Sequence, residues 1–231
     1  MDTKNDYRIM LLEDAVDRLA MRIKNWGLPF PINKGRLESL VKDVKNTVYR
    51  IKYSFLPANI LLNSSDVIEL ERLGKQLHRE IFENFDAMKT RVRLTVKQKL
   101  IVAEIKYCLW MILGFRRRLK HGDNNLPEYA VDVLGVEILS VQKHPSASNL
   151  KVLKAGTEKF GFIIITNIKN IKSGEVRAVA ILPPKEFMGI ISEAMIVSEP
   201  LDKSMKGRFV PYSIINLNEL RSKVIELLQA H

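Results

Sequence analysis

Residues 143–156 read KHPSASNLKVLKAG. A basic residue, a histidine and a proline close one apolar run, small polar residues follow, and a second apolar run begins. Pro145 and the small residues mark a turn. The runs on either side have a period of two, VDVLGVEILSV at 131–141 and LKVLKA at 150–155, which is the pattern of half-buried strands. Three more runs follow, FIIIT at 162–166, VRAVAIL at 176–182 and IISEAMIV at 190–197. Five short strand candidates, with no long helix between the first three, predict a small barrel or sandwich. Gly135 interrupts the first run and predicts a bend or bulge in a tightly curled strand. Asn216-x-x-Glu219 is a capping signal for a short terminal helix carrying Leu220, Val224, Leu227 and Leu228.

Before residue 122 the period is helical. Leu12, Val16, Leu19, Ile23 and Trp26 form one stripe, with Gly27 placed to end it. Leu37, Leu40, Val44, Val48, Ile51 and Phe55 form the next, stopped by Pro57. A third helix starts near Ser65, with Asp66 and Glu69 in its first turn and a stripe from Leu70 to Met88. Thr95 and Gln98 make a capping box that opens a fourth helix, to about Lys120. That helix is apolar nearly all round over IKYCLWMILGF and is expected to be the central, most buried one. The fold class is therefore α+β. A helical bundle over 1–125 precedes a small five-stranded barrel or sandwich with a C-terminal helix over 126–231.

The chain carries 37 Lys and Arg against 26 Asp and Glu, a formal charge of +11. Such a balance suits an anionic partner, nucleic acid first and an anionic membrane surface second. The excess lies in the helical half. Residues 1–125 hold 24 basic and 15 acidic side chains, a net of +9, and the rest hold 13 and 11, a net of +2. Two runs dominate: Lys89, Arg91, Arg93, Lys97 and Lys99, then Arg116, Arg117, Arg118 and Lys120. They read either as solvated helix ends or, together, as a phosphate-contacting surface.

The single cysteine, Cys108, lies in an apolar helical run and excludes an internal disulfide. It fits a reducing compartment and an inert core thiol. The first residues lack the apolar stretch of a signal peptide. The longest uncharged apolar stretch, 107–115, falls short of the roughly 20 residues that span a bilayer. A cytoplasmic protein with no membrane partner is expected. No phosphate-binding glycine loop, nucleophile elbow or metal-spaced His/Cys/Asp/Glu set occurs, so no catalytic residue, metal or cofactor is assigned and no enzyme is expected.

Three segments carry a family resemblance. They are His144-Pro145 with Ala147, Asn149 and Leu150; Thr166-Asn167; and Pro184-Lys185 with Gly189, then Ser192-Glu193-Ala194-Met195. Over about 130–200 this resembles the tRNA-binding OB domain found free in bacteria and at the C-terminus of some methionyl-tRNA synthetases. A similar domain occurs in tRNA-binding cofactors of eukaryotic synthetase complexes and in a group of bacterial secretion chaperones. Two positions depart from the pattern: Ala194 stands where glycine is usual, and Ser146-x-Ser148 where acidic residues are common. The helical half carries no comparable motif.

The resemblance implies that the five strands form an OB-type β-barrel. It also implies an RNA-facing surface formed by Lys143, His144, Asn149, Lys151, Asn167, Lys185, Phe187, Ser192, Glu193 and Met195. Arg91, Arg93, Lys97, Arg116, Arg117 and Arg118 would extend it as a basic patch. His144 reads equally as a stacking or phosphate contact and as a turn histidine that orders its loop. Phe187 reads as a stacking platform, and Met188 beside it as a plug of the barrel end. Ser192 would donate to a phosphate or 2′-hydroxyl, and Glu193 would accept from a base amino group. The expected partner is tRNA or another structured RNA, in a role in translation. The competing expectation is a protein-binding adaptor or chaperone-like dimer that meets an aminoacyl-tRNA synthetase or unfolded clients. A homodimer is expected in either case, through segments outside the barrel.

Overall fold

The computed structural model describes residues 1–88 and 92–229. The chain divides into two compact units, Met1–Ala130 and Val131–His231.

The first unit is built from α1 (Tyr7–Lys24), α2 (Lys34–Lys52), the short α3 (Ala58–Leu61), α4 (Ser65–Met88) and α5 (Val96–Arg118). The four long helices form a ring, with α1 packed on α2 and α5, and α4 packed on the same two. Their starts follow side-chain capping. Asp6 accepts from the Arg8 amide, Asn33 from that of Arg36, and Thr95 and Gln98 complete a capping box. The heptad-like stripes face inward: Leu12, Leu19, Ile23, Leu37, Val44, Ile51, Leu70, Leu77 and Ile112 are all buried. Each such side chain contributes about 1.5–3 kcal/mol on burial. Gly74 lets α4 approach α5, since a Cβ there would lie 2.7 Å from Ile112 Cγ2.

Three expectations change. Helix α2 ends at Lys52, so Phe55, expected in its inward stripe, lies beyond the helix and is exposed. Helix α5 is one of four corners, not a centre, although it is buried on more of its surface than α1 or α2. Helix α1 ends at Lys24, with Asn25 as its C-cap. Trp26 therefore lies beyond the helix, where its Nε1 donates to the Phe30 carbonyl and the two rings meet edge to face.

The second unit holds β1 (Val133–His144), β2 (Ala147–Gly156), β3 (Gly161–Thr166), β4 (Val176–Ala180), β5 (Lys185–Phe187), β6 (Ile190–Ser192), β7 (Met195–Ile196) and α6 (Leu217–Gln229). The main sheet is antiparallel, in the order β3-β2-β1-β4-β7, and β5 pairs with β6. Strand β1 serves two neighbours: its first half, 133–137, pairs with β4, and its second, 137–144, with β2. A long, curled strand that changes partners is what a small barrel requires.

The barrel is not closed by a continuous ladder. The seam between β3 and the 190–196 segment carries one backbone bond, Glu193 N to Ile163 O at 2.8 Å. Side chains supply the rest. Ile163 N donates to Glu193 Oε2 (2.9 Å) and Ile165 N to Ser192 Oγ (3.0 Å). The single run read at 190–197 is broken at Glu193-Ala194 for this reason: the chain bends there to place those oxygens on the β3 edge.

Gly135 is a point of close approach, not of bulging. Its pairing with β4 is regular, and the register shifts of β1 against β2 lie between Ile138 and Ser140 and between Lys143 and His144. A Cβ at Gly135 would sit 2.0 Å from Met205 O. The 205–208 segment crosses there, with Arg208 O accepting from Gly135 N and Gly207 N donating to Gly135 O. Among the described residues no helix is long and apolar enough to cross a membrane.

Candidate nucleic-acid interface

Strands β1 and β2 are joined by a two-residue connection, Pro145-Ser146, and His144 pairs with Ala147 across it. His144 is only 4 % exposed. Its Nδ1 accepts from the Ser146 amide at 3.1 Å, and its Nε2 lies 3.0 Å from the Phe187 carbonyl oxygen. An amide can only donate and a carbonyl can only accept, so the ring is the tautomer with its proton on Nε2. Of the two roles open to His144, the geometry realises the ordering one: it fixes the β1–β2 turn and ties it to the β5–β6 hairpin.

Lys143 and Lys151 are cross-strand partners, and Lys151 is in turn opposite Thr166. Directly opposed residues share a face, so these three form a row across β1, β2 and β3. Lys151 lies two residues before the fully buried Leu153, and Thr166 two residues after the fully buried Ile164. The row therefore continues the inward face past the end of the core. The Lys151 ammonium donates to the Lys169 carbonyl. Among the described residues no ion pair is formed by Lys143 or Lys151. Asn149 and Asn167 are exposed near the same strand ends.

Phe187 and Met188 stand at the tip of the β5–β6 hairpin. Phe187 pairs with Ile190, leaving Met188-Gly189 as a two-residue turn with φ of 47° and 90°. Positive φ at both central residues is the mark of a type I′ turn, for which methionine is a strained choice. Met188 is 65 % exposed and Phe187 37 %. Met188 therefore does not plug the barrel. It projects from a strained tip, and backbone strain of this kind gathers at ligand-binding loops.

The Ser192-Glu193-Ala194-Met195 segment is placed differently from the other loop residues. Ser192 is buried; its Oγ accepts from Ile165 N and donates to Ala194 O at 3.1 Å. Glu193 accepts from Ile163 N. Both side chains clasp the β3 edge, and Met195 begins β7 beside it, half-buried.

Helix α6 presents Leu220, Val224 and Leu227 inward. An open cleft of about 770 Å³ runs between it and the β5–β6 region, lined by Ile165, Pro183, Phe187, Met195 and Leu227 among others. At its rim Glu226 bridges two ammonium groups. Its Oε2 lies 2.6 Å from Lys223 Nζ and its Oε1 3.6 Å from Lys185 Nζ. The hydrogen bond from Lys223, with Lys185 beyond, holds the Glu226 carboxyl below the usual carboxylate range.

The basic patch is only partly presented. Arg118 is fully buried and its guanidinium donates to the Met111 carbonyl. Arg116 donates to Leu62 O and Asn63 Oδ1, and lies 3.8 Å from Glu71. Arg117 stacks over the Trp110 ring at 6.0 Å. The run of three arginines thus finishes α5 and fastens it to its surroundings, and Arg118 offers nothing to a phosphate. Arg93 and Lys97 are exposed at the start of α5, where no acidic residue occupies the first turn. Lys89 and Arg91 lie outside the described residues.

Sequence reading missed the cleft. Met188-Gly189 lacks the Asn-Gly or Asp-Gly pair that marks a type I′ hairpin in sequence, so the β5–β6 turn was not legible either. Nothing local announced Lys223 and Glu226, which read as an ordinary i,i+3 pair on a helix. Among the described residues no cluster of His, Cys, Asp and Glu could hold a metal ion.

Residues 134–216 match the family described as "Putative tRNA binding domain", and residues 1–122 the family described as "Alpha helical domain". No curated protein matches the chain. Among solved structures, a MetRS-related protein from Pyrococcus horikoshii is similar at 18 % identity and a TM-score of 0.29, over 38 % of this chain and 88 % of that one. The chain belongs to the alpha-helical-domain family, whose match spans more than half its length, and its residues 134–216 match the tRNA-binding family.

Proposed function

We propose that this protein binds RNA, with tRNA as the preferred class, and performs no chemistry on it. The observation that carries the reading is the row Lys143–Lys151, two like charges set directly opposite each other with no ion-pair partner among the described residues. Opposed like charges destabilise a sheet, and a phosphate between them reverses the sign. Beside the row stand the exposed aromatic Phe187 and the amides of Asn149 and Asn167, groups that suit unpaired bases and sugar hydroxyls. His144, Ser192, Glu193 and Met195 act in this reading as the frame. The helical unit offers phosphate contacts of its own at Arg93 and Lys97, with Arg116 and Arg117 as lesser contributors. The match of residues 134–216 to a tRNA-binding family supports tRNA over other RNA.

Fluorescence anisotropy with labelled bulk tRNA, an RNA duplex and a single-stranded DNA, each at two salt concentrations, tests this. The expected result is preferential tRNA binding that weakens with salt, and weakens further in a Lys143→Ala/Lys151→Ala variant. Equal weak binding to all three, untouched by the variant, rejects the proposal.

A second reading, a protein-binding adaptor, is favoured by one observation in the helical unit. The rings of Tyr49 and Tyr53 meet at a tilt of 50°, with centroids 4.6 Å apart, near the end of α2, and all three of Tyr49, Tyr53 and Phe55 are exposed, Phe55 with a φ of 51°. Such a group suits a synthetase surface or a second copy of this chain. Light scattering for a dimer, and co-purification with a synthetase lost on Tyr53→Ala, would support it.

A further inference from the structure

The cleft beside α6 has a chemistry that the lysine row lacks. Its walls are apolar: Ile165 and Pro183 from the barrel, and Leu227 from the helix. Its volume falls within the roughly 300–1,000 Å³ of small-ligand sites. Phe187 stands on one side, half open to solvent, at a hairpin whose position is fixed by His144. On the rim two lysines share a single carboxylate, one oxygen to each. The helix begins at Leu217, just past the residues matched to the tRNA-binding family, so this wall of the cleft belongs to this chain's own extension.

We infer that this cleft takes one unpaired nucleotide of a bound RNA, with its base against Phe187 and the apolar wall and its phosphate between Lys185 and Lys223 in place of Glu226. The inference rests on the RNA-binding reading above and narrows it to single-stranded nucleotides. A planar base fits an aromatic face with apolar backing, and stacking of this kind accepts any base. A phosphodiester presents two oxygens to two ammonium groups as the Glu226 carboxylate does, with the same single negative charge, so it can replace Glu226 without changing the charge balance of the rim. Glu226 is then a built-in competitor: it neutralises the rim in the absence of RNA and swings off α6's exposed face when RNA enters.

The test uses the full chain and a short single-stranded RNA carrying 2-aminopurine, whose fluorescence is quenched on stacking, with the same sequence as a duplex for comparison. The wild type should quench the single strand and not the duplex. Phe187→Ala should remove the quenching. Lys223→Ala should weaken single-strand binding about tenfold, and Glu226→Gln should tighten it several-fold at low salt. Neither Lys223 nor Glu226 is among the residues that anchor α6, so both variants keep the fold. Inorganic phosphate at the probe's concentration should not displace it, which separates a nucleotide site from a bare anion site. Unchanged affinity in both Lys223→Ala and Glu226→Gln, with tRNA binding still lost in Lys143→Ala/Lys151→Ala, overturns the cleft and leaves the RNA reading standing. No effect from any of these variants overturns both.

Discussion

His144 Nε2 donates to the carbonyl oxygen of Phe187 at 3.0 Å, joining two loops 43 residues apart in sequence. With the Ser146 amide on the other ring nitrogen, one side chain positions both the β1–β2 turn and the β5–β6 hairpin. His144→Ala should therefore lower stability by about 1–3 kcal/mol, because it leaves a partly buried carbonyl and an amide to find new partners. It should weaken RNA binding only through the loosened hairpin. Its neighbour Lys143 is the contrast. Lys143→Ala should leave stability within about 0.5 kcal/mol and reduce the salt dependence of RNA binding by roughly one phosphate contact. Urea unfolding and salt titration of both variants check this. A stable His144→Ala protein that loses RNA binding outright would make the imidazole a direct contact instead.

Ser192→Ala removes the acceptor of Ile165 N–H on the open edge of β3. The expected loss is about 1–3 kcal/mol for one amide left unpaired. Hydrogen exchange locates it: the Ile165 amide should lose protection, while the amides of β4 at the far side of β1 keep theirs. Uniform loss across the sheet would mean that the seam is held elsewhere.

What the sequence disclosed follows from how local each signal is. The strand periods, the capping box at Thr95-Gln98, the Asn216 cap whose Oδ1 accepts from Glu219 N and most of the inward stripes of the four long helices are set by neighbours along the chain, and the structure contains them. The roles of Ser192, Glu193 and Gly135 depend on what a distant segment brings to them, namely β3 for the first two and 205–208 for the third. A motif shared with RNA-binding domains names such residues without saying whether they touch RNA or hold the sheet. The same limit applies to Arg116-Arg117-Arg118. Three consecutive arginines read as a charged surface, yet at a helix end they point in three directions, and one of them points into the core.

That core end supplies a third prediction. Asp6 and Arg8 form a buried ion pair at 2.7 Å, and Arg8 Nη1 also reaches the Gly122 carbonyl at 2.8 Å. Asp6→Ala leaves a guanidinium buried without its counter-charge and should destabilise the helical unit by about 3–5 kcal/mol. Lys97→Ala, on an exposed turn of α5, should stay within about 0.5 kcal/mol. Thermal unfolding of the two variants under identical conditions separates these outcomes, and similar midpoints would show that the Asp6–Arg8 pair does not support the unit.

Cys108 and Tyr107 make the last prediction, which concerns pH. Both are buried on α5. Burial pushes the Cys108 thiol up, and the Glu104 carboxylate pushes it further; burial likewise raises the Tyr107 hydroxyl. A group raised in the folded state keeps its proton there after the unfolded chain has released it. Its contribution is thus complete below the unfolded value, about 8.5 for cysteine and about 10 for tyrosine, and is lost as pH climbs above it. Stability should fall by up to about 1.4 kcal/mol per pH unit for the thiol alone once the unfolded thiol is ionised. Urea midpoints measured from pH 7 to 10.5 should decline above pH 8.5 in the wild type and more gently in Cys108→Ala. In the same range the native thiol should resist a thiol-reactive dye that labels the urea-unfolded chain within minutes, since only an exposed thiolate reacts. Parallel pH curves for the two proteins, or rapid labelling of the native one, would place Cys108 on an accessible surface.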